Sequence, residues 1–164
     1  MSRNVIIFLI VMPLVVFMNC KNTGATTDTP KHMEKPQQES IEFTTLLSDA
    51  HSNFTQSTHR VITSQKKLNE VFAKVNSTRM PGIEVPNVDF NTYEVFFYGP
   101  GEVNHGTEGP KVASVTKENQ TIVVKLAAGK PQGKYVTAVM SQPAVLIQYK
   151  KQGLPVVVKA AEEK

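Results

Sequence analysis

The chain has 164 residues, 40% hydrophobic and 20% charged, with 9 Gly, 10 Pro and a formal net charge of +4. This balance fits one globular domain and excludes a collagen-like or wholly disordered chain. One Cys, 4 His and no Trp exclude a disulfide framework, a multi-cysteine zinc site and an iron–sulfur cluster by ligand count, and so small and dispersed a charge gives no reason to expect nucleic acid as a partner.

Arg3 precedes an apolar run over residues 5–18 that is interrupted by Pro13 and ends at Asn19-Cys20. The run is shorter than the ~20 residues a spanning helix needs, so residues 1–19 are expected to be a signal peptide rather than a lasting span. The lone cysteine stands where the run stops, and this placement resembles a bacterial lipoprotein signal, although Phe17-Met18-Asn19 occupies positions where such signals usually carry Gly, Ala or Ser. A thiolate is a good nucleophile for acylation, and each buried methylene adds ~0.8 kcal/mol of membrane affinity. Cys20 is therefore the expected lipidation site. It would carry palmitate-like chains and anchor the protein in the bacterial cell envelope, facing the periplasm or the cell surface. Residues 20–40, rich in Thr, Pro, Lys, Gln and Glu, are expected to be a disordered tether with a reach of ~25 Å. A β-rich domain over 41–160 and a charged tail over 161–164 complete the organisation.

Within the domain, Phe43, Thr45 and Leu47 alternate with their neighbours as a short strand does, and a second strand is expected around Arg60-Val61-Ile62. Leu68, Val71, Phe72 and Val75 follow at i, i+3, i+4 and i+7, which predicts one amphipathic helix with Ser64 as its N-cap. Pro81, Gly82 and Pro86 make residues 80–88 an extended connection. Residues 93–98 are apolar on both faces apart from Glu94, which predicts a strand covered on both sides. Residues 112–117 and 121–126 flank a hairpin turn in which Asn119 takes the left-handed conformation. Further strands are expected over 135–140, 144–149 and 154–159. The fold class predicted is α+β, a mostly antiparallel β sheet or small sandwich with one amphipathic helix packed on it.

The chemistry-bearing residues form no catalytic set. Asp49-x-His51 would share one face of an extended segment, yet no HExxH or equivalent supplies the convergent ligands a zinc ion needs. No G-x-S-x-G elbow or Cys–His pair is present in the domain, and Ser48, Ser52 and Ser114 read as ordinary loop and strand residues. No catalytic residue, metal ligand or cofactor is assigned. The unusual stretch is residues 99–110, with four glycines and two prolines among twelve residues. It is no phosphate cradle, because the Lys-Ser or Lys-Thr of a P-loop is missing and Glu102 and Glu108 would repel an anion. It reads either as a plain surface connection or as a partner-binding loop held by a rigid sheet, with Asn104, His105, Gly106, Thr107, Glu108 and Gly109 as the contact residues. The loop over 130–134 carries the same ambiguity.

Phe43-x-x-Leu46 with Ser52, Arg60-Val61-Ile62-Thr63-Ser64 leading into the helix, and Val88-Asp89-Phe90-Asn91-Thr92-Tyr93-Glu94-Val95 together resemble the PrcB family of protease-complex lipoproteins. Ser141-Gln142-Pro143-Ala144-Val145 continues the likeness, which spans residues 41–160. The resemblance implies a non-catalytic, membrane-anchored subunit that binds a secreted or surface protease or another envelope protein. Family members commonly carry a Thr-Gly-Gly-Tyr-like loop akin to that of chagasin-type protease inhibitors, whereas residues 104–111 here keep glycines and Thr107 without the aromatic. Two alternatives stay open: a chagasin-like protease inhibitor, and an envelope domain that binds a small ligand.

Overall fold

A computed structural model describes residues 38–128 and 138–160. One of two internal strands of its sheet is β4 (Tyr93–Gly99), whose sequence YEVFFYG is apolar on both faces apart from Glu94. It pairs antiparallel with β3 (Thr58–Ile62) on one side and β7 (Ala144–Lys150) on the other, and β7 pairs with β2 (Phe43–Asp49), giving a sheet of order β2-β7-β4-β3. A second sheet has the order β1-β5-β6-β8, from β1 (Gln38–Ile41), β5 (Val112–Glu118), β6 (Thr121–Leu126) and β8 (Val156–Lys159).

The period of two along β4 and β7 distributes their side chains between two cores. Val95, Phe97, Ala144 and Leu146 face the helix α1 (Gln65–Val75), where they meet Leu68, Val71, Phe72 and Val75. Phe96, Val145, Ile147 and Tyr149 face the other sheet and pack on Ile41, Val115, Ile122 and Val124. The described domain is thus layered helix, sheet, sheet, which is the expected α+β sandwich. Burying the four helix residues contributes ~6–12 kcal/mol before conformational entropy is subtracted.

Local chemistry fixes the ends of α1. The Ser64 hydroxyl accepts from the Lys67 N–H at 3.4 Å. At the other end Asn53, held at φ +63°, points its carboxamide NH2 at the Lys74 and Val75 carbonyls, 3.1 and 3.2 Å away, which satisfies carbonyls the last turn leaves orphaned. Beyond the helix, Asn76 exchanges two 2.8 Å hydrogen bonds with the backbone of Ile83, and Gln65 bridges the Pro86 carbonyl and the Val88 N–H, so the extended 80–88 segment lies pinned along the helix. Asp89 then accepts from Asn91 N–H and the Thr92 hydroxyl, and this turn launches β4. The β5–β6 hairpin turns through Asn119 at φ +55°.

Three features differ from the sequence reading. Gln38, Glu39 and Ser40, expected in the tether, belong to β1, which pairs antiparallel with β5. Their exposed polar side chains give no core signal because the pairing is made by the backbone. The β6–β8 ladder is parallel, since the chain leaves β7 in one sheet and crosses at Gly153 to the edge of the other. The strand expected over 135–140 falls outside the described residues except for 138–140, which form no regular element. The signal segment with Cys20, the 130–134 loop and the 161–164 tail also lie outside the described residues. Among the described residues no helix is long and apolar enough to cross a membrane.

Candidate functional site

The ends of β2, β4, β6 and β7 converge on one pole of the molecule, and the glycine-rich segment after β4 is built onto it. Gly101 makes the first bend at φ +96°, where an added Cβ would lie 2.9 Å from the Ser57 nitrogen, so only glycine fits. The chain is then pinned on two sides. Glu102 N–H donates to the Thr55 carbonyl at 3.1 Å, and Val103 and Ser141 exchange backbone bonds of 2.8 and 2.9 Å. Gln142 donates its side-chain amide to the Glu102 carboxylate at 2.7 Å, while its carbonyl accepts from the buried Ser52 hydroxyl at 2.6 Å and the Ser52 N–H at 2.7 Å.

The far end of the loop is equally fixed. Gly109 lies against β2, where an added Cβ would fall onto the Asp49 nitrogen and within 2.5 Å of the Ser48 carbonyl carbon. The Ser48 hydroxyl donates to the Pro110 carbonyl at 2.9 Å, and Ala127 N–H donates to the Lys111 carbonyl at 2.7 Å. Between these staples a cleft of about 490 Å³ opens between the loop and the end of β6, a size in the ~300–1,000 Å³ range of ligand and anchor-residue sites. Val103, Pro110, Leu126, Ala127, Ala128 and Pro143 give it apolar walls, and His105, Thr107, Glu108 and Lys111 supply polar groups. Glu108 and Lys111 form an exposed ion pair at 3.2 Å. His105 Nδ1 lies 3.3 Å from the Gly106 carbonyl, and the Thr107 hydroxyl donates to the Glu108 carbonyl at 3.0 Å.

Of the residues singled out from sequence, His105, Gly106, Thr107, Glu108 and Gly109 line this cleft, and Asn104 is exposed outside it. The opposite wall, Leu126 to Ala128, carried no recognisable signal, because the end of a strand becomes half of a cleft only when another loop folds over it. Asp49 and His51 do not converge on a common ligand position. The Asp49 carboxylate accepts from the Arg79 guanidinium at 2.7 Å and from the His51 N–H at 2.7 Å, and Arg79 also donates to the His51 carbonyl at 2.6 Å. This cluster ties the end of β2 to the end of the helix. Among the described residues no three His, Cys, Asp or Glu side chains gather as a metal site would require.

At the opposite pole a second cleft of about 550 Å³ is lined by residues 40–44, Tyr93, Gln148 and Tyr149. Tyr149 lies opposite Glu94 on the neighbouring strand, and both are buried. Burial first, the charge of Glu94 second and the nearness of its carboxylate as an acceptor third push the Tyr149 phenol far above its ordinary value, although no partner stands in hydrogen-bonding geometry with the hydroxyl. Glu94 instead accepts from the Gln152 N–H at 3.1 Å. No protein-family model, curated protein or solved structure matches this chain.

Proposed function

We propose that the chain is a non-catalytic, lipid-anchored binding domain, a PrcB-like subunit that grips a protease or another envelope protein through the loop over 99–110. The observation that carries this reading is the stapled cleft of about 490 Å³ with apolar walls and a polar rim. Its loop is held at Gly101, Val103 and Gly109, and just past its end at Lys111, by neighbouring strands and segments, so it is ordered before a partner arrives and little entropy is lost on binding. The polar side chains at the rim hydrogen-bond or ion-pair within the loop, an arrangement suited to positioning a partner's side chain. Cys20 acylation would keep the domain at the membrane surface while the tether gives it reach.

The test is affinity recovery of the detergent-solubilised protein followed by mass spectrometry. We expect a stoichiometric envelope protein to be recovered with the parent chain, and about tenfold less of it with Ala128→Arg, which fills the cleft with a charged side chain. Asn119→Ala, on the hairpin at the other pole, should leave recovery unchanged. Equal recovery with Ala128→Arg would remove the cleft from the reading. Absence of any stoichiometric protein, with a small molecule retained instead, would favour an envelope ligand-binding domain. Tight loss of protease activity on titration would identify an inhibitor. Cys20→Ser should release the protein from membranes, and an unchanged membrane fraction and unchanged mass would refute the anchor.

A further inference from the structure

An open sheet edge is a template for another strand unless the sequence blunts it with a bulge, a charge or a proline. The two edges of the central sheet are blunted: β2 carries a bulge at Leu46 between Thr45 and Leu47, and β3 carries exposed His59 and Arg60. In the other sheet β1 carries exposed Glu39. Among the described residues β8, of sequence VVVK, ends this sheet on its other side; at four residues it is as short as β1, but it carries no bulge, charge or proline from Val156 to Val158.

The pattern of its backbone groups is specific. The β6–β8 ladder is parallel, with Ile122 opposite Val156 and Val124 opposite Val158, and the Ile122 N–H donates to the Pro155 carbonyl at 2.8 Å. In such a ladder residues 155, 157 and 159 direct their backbone groups to β6, so the N–H and C=O of Val156 and Val158 point outward. Pro155 lacks its N–H on the inner side and leaves the outer edge intact. The side chains of Val156 and Val158 pack into the intersheet core, whereas Val157 lies on the outer face and is 46% exposed. Lys159, the only charge in the strand, is held by Glu118 at 3.0 Å.

We propose that β8 pairs with β8 of a second copy of this chain, antiparallel about a two-fold axis through Val157. In that register the outward N–H and C=O of Val156 meet those of Val158 in the other copy, and the reverse pair forms by symmetry, so each outward group finds a partner. The two Val157 residues face each other in the non-hydrogen-bonded position with Cα atoms ~4.5 Å apart, where side chains are closest. Lys159 falls opposite Pro155 of the other copy, so no like charges are brought together. Backbone donors and acceptors would match any antiparallel strand; a second copy is favoured because Val157 meets an identical exposed apolar side chain and Lys159 meets no charge. A contact of this length buries well under the ~1,200 Å² of a stable complex, so pairing is reversible in solution and strengthens where copies crowd on a common surface.

Cysteine cross-linking of the full-length protein in detergent tests the pairing. Val157→Cys would set thiols within the ~4.4–6.8 Å Cα separation that a disulfide spans, and we expect about tenfold more disulfide-linked dimer than from Asn119→Cys, which shares the Cys20 background. Val158→Pro, added to Val157→Cys, removes an outward N–H without touching the ladder to β6 and should lower that yield severalfold. Independently, Val157→Lys sets like charges at the axis on an exposed face and should weaken self-association in sedimentation velocity by about tenfold. Equal cross-linking from Val157→Cys and Asn119→Cys overturns the proposal, and so does sedimentation that Val157→Lys leaves unchanged.

Discussion

Replacing Tyr149 by Phe is expected to make this protein more stable, although it removes a polar group from a buried residue. Tyr149 is 1% exposed, and its hydroxyl stands beside the Glu94 carboxylate with no partner in hydrogen-bonding geometry. A buried donor left unmade costs ~1–3 kcal/mol, and Tyr149→Phe deletes only the oxygen while keeping the ring in place. We therefore expect a gain of ~1 kcal/mol at neutral pH, read in urea unfolding as a higher midpoint with an unchanged slope. The pH dependence carries a second signature. The folded-state phenol is raised above its unfolded value of ~10 by burial and then by the charge of Glu94. Below pH ~10 both states keep the proton and stability is unaffected. Above it the unfolded chain releases a proton that the folded chain retains, so stability falls by up to ~1.4 kcal/mol per pH unit from this residue alone. Tyr149→Phe should flatten that alkaline decline and leave a smaller one from Tyr98, which burial also raises. A variant less stable than its parent at pH 7, with the same decline between pH 10 and 11, would mean that the hydroxyl is hydrogen-bonded in the folded protein and would refute the reasoning.

Two further substitutions probe the layers and the cleft. Phe72→Ala empties the centre of the contact between α1 and the central sheet, where Phe72 is 0% exposed, and should cost ~3–5 kcal/mol in denaturant unfolding; a loss below ~1 kcal/mol would mean that the helix is not docked as described. Gly109→Val forces a branched side chain into the Ser48–Asp49 backbone and should cost ~1–3 kcal/mol through overpacking while reducing partner recovery. Retained stability and retained partner recovery together would show that the loop does not rest on β2.

Much of the domain was legible along the chain. The spacing of Leu68, Val71, Phe72 and Val75 with Ser64 ahead of them specified α1, and the two-faced apolar run of β4 specified a strand with a core on each side. Asn119 marked the hairpin because a left-handed turn favours a short polar side chain. The glycine- and proline-rich segment announced a shaped loop, and its glycines prove to sit where Cβ atoms would collide, at Gly101 and Gly109. The Ser-Gln-Pro segment stood out as a motif, but its work of joining Ser52, Ala50, Glu102 and Val103 depends on contacts made far away in the chain.

The sequence by itself determined which faces are apolar, where the helix begins and which segment must bend, because side-chain periodicity and backbone restriction act within a few residues. Tertiary structure alone decided that Gln38–Ile41 joins a sheet, that β8 runs parallel to β6, and that Leu126 to Ala128 form a wall opposite His105. Those outcomes depend on which distant backbone edges and strand ends meet, and backbone hydrogen bonds are available to every residue alike, so no local pattern of side chains encodes them.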